Sequence, residues 1–186
     1  MNTATANRNK NRWMLLGVFA LFVVPILLAL ALNLAGWRPQ GTKAYGTLID
    51  PPRSAESAAV TLTDGSKFVW RDPQWHWTLV ALPGAACAQH CRAALADLVR
   101  MRATLGRNAE RVRVLYLGPA LPADMTASLA PLQQGSDDSG AFAALRAKGD
   151  DALALALVDP GAYLMMSYNE GYDVAGVRRD LPKVIK

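Results

Sequence analysis

The feature that most constrains this chain is a long uncharged stretch near its N-terminus. Residues 13–37, WMLLGVFALFVVPILLALALNLAGW, contain only one strongly polar side chain, Asn33. A helix needs about 20 mostly apolar residues to cross the hydrocarbon core of a membrane, and tryptophans favour its interfaces. Trp13 and Trp37 stand at the two ends, and Pro25 is compatible with a membrane helix. We therefore predict a transmembrane anchor over residues 13–37.

A cleaved signal peptide is the alternative for this stretch. Its apolar core is normally about 7–15 residues long and is followed by a small-residue cleavage site. The stretch here is longer and ends in NLAGW, which favours a retained anchor.

The charges that flank the anchor predict its orientation. The basic residues nearest to it are Arg8, Lys10 and Arg12 on one side and Arg38 and Lys43 on the other. Since basic residues accumulate on the cytoplasmic side, we expect residues 1–12 to be a cytoplasmic tail. Residues 38–186 would then lie across the membrane. In a bacterium this is a single-pass inner-membrane protein with a periplasmic domain, where disulfides persist.

The part beyond the anchor is nearly balanced in charge. From residue 38 onward it has 17 basic and 15 acidic residues, a net charge of +2. Nucleic-acid binding would need a clustered basic face, so we expect no nucleic-acid partner. Its length suits one domain with its own core.

Residues 38–57, RPQGTKAYGTLIDPPRSAES, predict a tether because proline, glycine and small polar residues dominate them. Next, AVTLTDG and KFVW predict a β-hairpin. Residues 77–83 and 111–118 predict buried strands, and residues 88–105 between them predict an amphipathic helix that ends before Gly106. Strand, helix and strand in this order favour a parallel pair.

The rest of the chain completes an α/β pattern. Residues 119–140 predict a loop with one helical turn, and GAFAALRAK predicts a short helix. Residues 152–158 and 162–168 predict two strands joined by a proline-glycine turn, hence an antiparallel hairpin. The chain ends in a predicted helix. The fold class is therefore α/β, with a mixed sheet flanked by helices and one N-terminal transmembrane helix.

Both cysteines of the chain lie in LPGAACAQHCRAALADLV, where a buried strand passes into a helix. A helix N-terminus stabilises the thiolate of Cys87, and Cys91 lies one turn further along the same face. Three interpretations remain open: a structural disulfide, reversible thiol–disulfide exchange, and binding of a soft metal, chiefly Cu(I). A disulfide that closes so short a loop stabilises little, which weighs against the first.

Other soft or borderline ligands are less persuasive. His90 could join Cys87 and Cys91 as a metal ligand, although a solvated histidine on the helix surface is the simpler interpretation. His76, between two tryptophans, suggests a half-buried edge position. Met165 and Met166 in a strand are more typical of packing.

The segments VTLTDGSKFVW, WTLVALPGAACAQHC, RVRVLYLG and LALVDPGAYLMM, in this order, resemble the Sco/SenC family. The resemblance covers residues 58–186 and implies a thioredoxin-like domain beyond a single membrane anchor. It also implies assistance to copper delivery and assembly of cytochrome c oxidase. The expected partner is a cytochrome c oxidase subunit or a copper chaperone.

Two positions depart from the family's pattern. Arg92, rather than proline, follows the second cysteine, and Asp151 stands where the family has its third copper ligand, a histidine. A carboxylate is a hard ligand that suits Cu(I) poorly. We therefore expect a thiol–disulfide oxidoreductase, a two-thiolate Cu(I) site at Cys87 and Cys91, or both. The alternative is a non-catalytic assembly scaffold with a structural disulfide.

Overall fold

The computed structural model describes residues 3–36 and 44–185, and the chain divides into two compact units, Met1–Thr42 and Lys43–Lys186. The first unit contains helix α1 (Thr3–Leu34). Within it, Arg12–Leu34 is long and apolar enough to cross a membrane, with a mean hydropathy of 2.9. The predicted N-terminal apolar helix is confirmed. Trp37, Arg38 and Lys43 lie outside the described residues.

The second unit is built on a seven-stranded sheet. Its strands are β1 (Thr47–Ser54), β2 (Val60–Leu62), β3 (Trp77–Pro83), β4 (Val112–Leu117), β5 (Gln133–Asp137), β6 (Leu153–Val158) and β7 (Tyr163–Tyr168). Its helices are α2 (Gln89–Ala103), α3 (Ala123–Ser128) and α4 (Val174–Val184), with 3-10 turns at Gly106–Arg111 and Ala143–Leu145. The strand order is β1-β7-β6-β3-β4-β5-β2. Strands β3, β4 and β5 run parallel and the other pairs antiparallel, so the predicted mixed sheet is confirmed.

The central strand β3 is buried on both faces, as its continuous apolar sequence predicts. Leu79 and Ala81 point into one core and Val80 and Leu82 into the other. Helices α2 and α4 pack on the first face. Their buried core residues are Cys91, Leu95, Leu98, Met101, Val177 and Leu181. The second face is covered by side chains of irregular segments, among them Phe68, Trp70 and Phe142.

The prediction of a tether over residues 38–57 was wrong for its second half. Residues 47–54 form β1, which pairs antiparallel with β7 at one edge of the sheet. An edge strand tolerates prolines because one side of its backbone needs no hydrogen-bond partner in the sheet. Pro51 and Pro52 indicated a loop in the sequence, although they lie in such a strand.

Three other local predictions also differ, wholly or in part, from the structure. The predicted hairpin is reduced to one antiparallel bridge between Thr61 and Lys67. KFVW forms no strand: Phe68 and Trp70 instead bury their rings, and β2 pairs with β5. The polar sequence of β5, QQGSD, predicts a loop, yet Gln134 and Gly135 are buried in a strand between β4 and β2. GAFAALRAK contains only the 3-10 turn Ala143–Leu145.

Candidate functional site

The two cysteines lie at the junction of β3 and α2, where the sequence predicts them. They form a disulfide, Cys87–Cys91, with 4.9 Å between the Cα atoms. Strand β3 ends at Pro83 and α2 begins at Gln89. The bond therefore joins the connecting loop to the first turn of the helix.

The two cysteines differ in burial. Cys91 is fully buried among the side chains between α2 and the sheet, whereas Cys87 is half-buried. Of the two cysteines, Cys87 is therefore the one with accessible surface. Its φ of +39° lies in the left-handed region, which is unusual for a residue with a side chain.

Residues 84–88 connect β3 to α2 and are called the cysteine loop below. Backbone contacts with the loop before β6 hold the cysteine loop in place. The carbonyl oxygen of Asp150 accepts hydrogen bonds from the N–H groups of Ala86 (3.0 Å) and Cys87 (3.3 Å). The N–H of Gly84 donates to the carbonyl oxygen of Ala152 at 3.1 Å. A Cβ at Gly84 would lie 2.0 Å from the carbonyl oxygen of Gly149, so only glycine allows this approach.

Asp151, on the same loop, binds the first turn of α2 through both carboxylate oxygens. Oδ1 accepts from the N–H of Cys91 at 3.0 Å, and Oδ2 accepts from the N–H of His90 at 2.9 Å. The N-cap residue Ala88 provides no side-chain cap of its own. These two N–H bonds, together with the His90 side chain, lower the pKa of Asp151 to about 2. Asp151 is therefore a charged, remote cap of α2.

Sequence reasoning singled out Asp151 only as a poor substitute for a copper ligand and missed its contact with the helix. Capping of α2 from a residue 60 positions later has no local signature, because the usual signal is a polar side chain at the N-cap itself. The alanine at position 88 was the one available hint.

The remaining predicted ligands do not complete a metal site. The side chain of His90 is 89% exposed, and its Nδ1 is hydrogen-bonded to Asp151 at 3.0 Å. His76 bonds to Asp72 just before β3 begins, at the opposite end of that strand from the cysteines. Met166 is buried in the core, as expected for a packing residue.

The donors near the cysteines fit a three-ligand Cu(I) site poorly. Within residues 3–36 and 44–185, no group of three or more His, Cys, Asp or Glu side chains is arranged to hold a metal. The sulfurs are bonded to each other, and the nearby Asp151 offers hard oxygens already engaged by N–H groups.

A surface groove of about 590 Å³ opens beside the cysteine loop. Gly84 and Ala85 line it on the side of that loop, and Leu117 lines it at the end of β4. Basic and acidic side chains both line it, so its charge is mixed; they are Arg146, Lys148, Asp137 and Asp150.

Solved structures of several thioredoxin-like proteins share this fold. Apo Sco1 from Thermus thermophilus has a TM-score of 0.57 and 19% identity, covering 79% of this chain and 99% of that one. Yeast Sco1 with copper bound has a TM-score of 0.55 and 14% identity, covering 77% and 93%. A cysteine-to-serine mutant of peroxiredoxin Q from Xanthomonas campestris has a TM-score of 0.51 and 15% identity, covering 78% and 100%. At these identities the likeness establishes the Sco-like thioredoxin fold alone.

No curated protein sequence matches the chain. A family model described as "Transmembrane-like, thioredoxin-like, C-terminal domain" matches residues 77–186, which is more than half of the chain and includes both cysteines and Asp151. The expected resemblance to membrane-anchored, Sco-like thioredoxin-fold proteins is confirmed. The chain belongs to the transmembrane-like, thioredoxin-like C-terminal domain family.

Proposed function

We propose that this protein is a membrane-anchored thiol–disulfide exchange protein that acts through Cys87 and Cys91. The observation that carries the proposal is the asymmetry of the pair. Cys87 is partly exposed in the loop after β3, and Cys91 is buried in the first turn of the following helix. One reachable sulfur and one protected sulfur are what a two-step exchange requires.

The exchange would proceed as follows. In the reduced protein, the thiolate of Cys87 attacks a partner's disulfide, forms a mixed disulfide, and releases the partner's other sulfur as a thiolate. The thiolate of Cys91 then attacks the sulfur of Cys87. This restores the Cys87–Cys91 bond and releases the partner's second sulfur. Two electrons and two protons have passed to the partner, and the reverse sequence would oxidise it.

A purely structural disulfide is less well supported. The bond closes a loop of five residues, for which chain-entropy reasoning gives about 2 kcal/mol, the low end of the usual range. Residues 84–87, which lead into that loop, already make three backbone hydrogen bonds to residues 150–152. These contacts already constrain the segment, so a structural disulfide there would add little stability.

The cellular role that we propose is accessory to assembly of cytochrome c oxidase. Its support is the Sco-like fold together with one apolar N-terminal helix. In this role α1 holds the protein in a bacterial inner membrane with its N-terminus in the cytoplasm. The thioredoxin-like domain works in the periplasm on a cysteine pair of an oxidase subunit or a copper chaperone.

Copper as a cargo is a second candidate, favoured by one observation: yeast Sco1 has copper bound on the same fold. The reduced pair would supply two soft sulfurs, and thiolates select Cu(I). Since Asp151 is a poor third donor, we expect weak retention and derive no step through the metal.

The proposal is tested by trapping the mixed disulfide with full-length protein in detergent. Cys91→Ser leaves Cys87 free, and Cys87→Ser leaves Cys91. With an aromatic disulfide reagent, we expect Cys91→Ser to form the mixed disulfide at least about tenfold faster, because Cys91 is 0% exposed. Equal rates, or a wild-type disulfide that resists millimolar dithiol, would contradict the proposal and favour the scaffold.

A further inference from the structure

The first turn of α2 receives a full negative charge from a distant part of the chain. A helix leaves its first four N–H groups without intrahelical partners, and these groups favour anions. Two of them, those of His90 and Cys91, are bonded to the carboxylate of Asp151. The side chain of Asp151 is 29% exposed, so solvent only partly screens its charge.

Reduction of the disulfide places new negative charge at the same turn. When the Cys87–Cys91 bond is cleaved, each sulfur becomes a thiol that ionises to a thiolate. A helix N-terminus with free N–H groups stabilises that thiolate and hence the reduced pair. Here the carboxylate already occupies two of those groups, and it repels a second anion beside it.

We propose that Asp151 is the positioning residue that sets the exchange equilibrium of Cys87 and Cys91, favouring the disulfide and making the reduced pair a strong electron donor. This inference rests on the proposed exchange function and adds its direction: the reduced pair gives two electrons to a partner disulfide. The carboxylate of Asp151 has two effects in the same direction. It occupies N–H groups that could stabilise a thiolate, and its charge repels that thiolate.

The neighbouring charges do not replace this effect. On α2, the guanidinium of Arg92 donates through Nε to the carbonyl oxygen of Ala88 at 3.0 Å and offsets part of the negative charge. The imidazole of His90 is bonded to Asp151 itself. On the facing loop, Asp150 contacts the cysteine loop through its backbone carbonyl. Asp151 is the carboxylate bonded to the N–H of one of the two cysteines.

The test compares four full-length proteins in detergent: wild type, Asp151→Asn, Asp151→Glu and Asp97→Asn. Asp97→Asn is the matched control, because it also removes one negative charge, at a position on α2 about 12 Å along the axis from Gln89. Each protein is equilibrated with reduced and oxidised dithiothreitol at pH 7 and pH 9, and the free thiols are counted by alkylation. The thermal unfolding temperature of each oxidised protein is measured in parallel.

For Asp151→Asn we expect the equilibrium at pH 9 to move about tenfold toward the dithiol, which is about 30 mV for a two-electron couple. The shift should be smaller at pH 7, where less thiolate forms. Asp151→Glu retains the charge and should stay near wild type, as should Asp97→Asn. Should Asp151→Asn not fold, Asp151→Ser provides a second neutral side chain for the same comparison.

Three results would overturn the inference. An Asp151→Asn protein that melts earlier but keeps the wild-type equilibrium at both pH values makes Asp151 a structural cap only. An equal shift in Asp97→Asn assigns the effect to net charge. Failure of every protein to exchange with dithiothreitol removes the proposed function as well, whereas normal exchange without a shift removes the inference alone.

Discussion

The buried carboxylate of Asp180 offers a quantitative test of what holds residues 45–46 against α4 within the second unit. Asp180 lies in α4 and is 1% exposed. Its Oδ2 accepts hydrogen bonds from the N–H groups of Tyr45 at 2.7 Å and Gly46 at 2.9 Å, just before β1. Lys183 donates to Oδ1 at 3.0 Å. We expect Asp180→Ala to release this segment and destabilise the domain.

The magnitude follows from the lost bonds. A hydrogen bond to a charged group contributes about 1.5–3 kcal/mol, and an N–H left buried without a partner adds its desolvation cost. With two N–H groups affected, the free energy of unfolding should fall by about 3–5 kcal/mol in Asp180→Ala. Asp180→Asn keeps one acceptor oxygen and should lose only about 1–2 kcal/mol.

Thermal unfolding of the full-length protein in detergent measures the effect. At about 2–4 °C per kcal/mol, Asp180→Ala should melt roughly 6–20 °C below wild type. Asp97→Asn, which removes an exposed carboxylate paired with Arg100, is the control and should change stability by less than about 0.5 kcal/mol. An Asp180→Ala protein within about 2 °C of wild type would refute the reasoning.

The pH dependence gives an independent check. Burial alone would raise the pKa of Asp180, but hydrogen bonds from Gly46, Lys183 and Tyr45 outweigh it and lower that pKa below its ordinary value. A group whose pKa is lower in the folded state stabilises the fold above its unfolded pKa. That stability is lost as the pH falls through the folded pKa. Asp180→Asn should lack this part of the acid-induced loss.

Three further substitutions test close contacts and the donor set. In Gly84→Ala the new Cβ would lie 2.0 Å from the carbonyl oxygen of Gly149, so the cysteine loop should shift. The rate of disulfide exchange with a dithiol should then change at least several-fold. An unchanged rate would mean that this contact does not position the cysteines. In Gly176→Ala the Cβ would lie 2.3 Å from the ring of Tyr45, so chemical unfolding should show a loss of about 1–3 kcal/mol. In Asp151→His an imidazole replaces a hard donor, so the reduced protein should retain Cu(I) against a chelator better than wild type. Equal retention would mean that residue 151 does not occupy the position of the Sco/SenC family's third copper ligand.

The parts of the fold that the sequence predicted are those with a strong local pattern. Residues 77–83 and 112–117 are mostly apolar and form β3 and β4, and the stripe around Leu95 and Leu98 forms one face of α2. Asp159-Pro160-Gly161 predicted the hairpin of β6 and β7. In each case the apolar period or the turn residues suffice, because burial of those side chains decides the local structure.

The parts that the sequence missed depend on partners far along the chain. Strand β5 is polar and is held by parallel pairing to β4 and antiparallel pairing to β2, neither of which its own residues reveal. The site shows the same division. The position of Cys87 and Cys91 followed from the strand-to-helix pattern, whereas the cap from Asp151 arises only when the loop before β6 folds against α2.

The charge at position 151 connects the two chemistries open to the cysteine pair. A Cu(I) ion held by two thiolates beside this carboxylate would leave a net negative charge in a half-buried site, and a reduced pair without metal is also an accumulation of negative charge beside Asp151. The disulfide is neutral and is the form that the carboxylate tolerates best. Removal of the charge should therefore favour metal retention and the dithiol together. A substitution that improved one and weakened the other would mean that geometry, rather than charge, governs the pair.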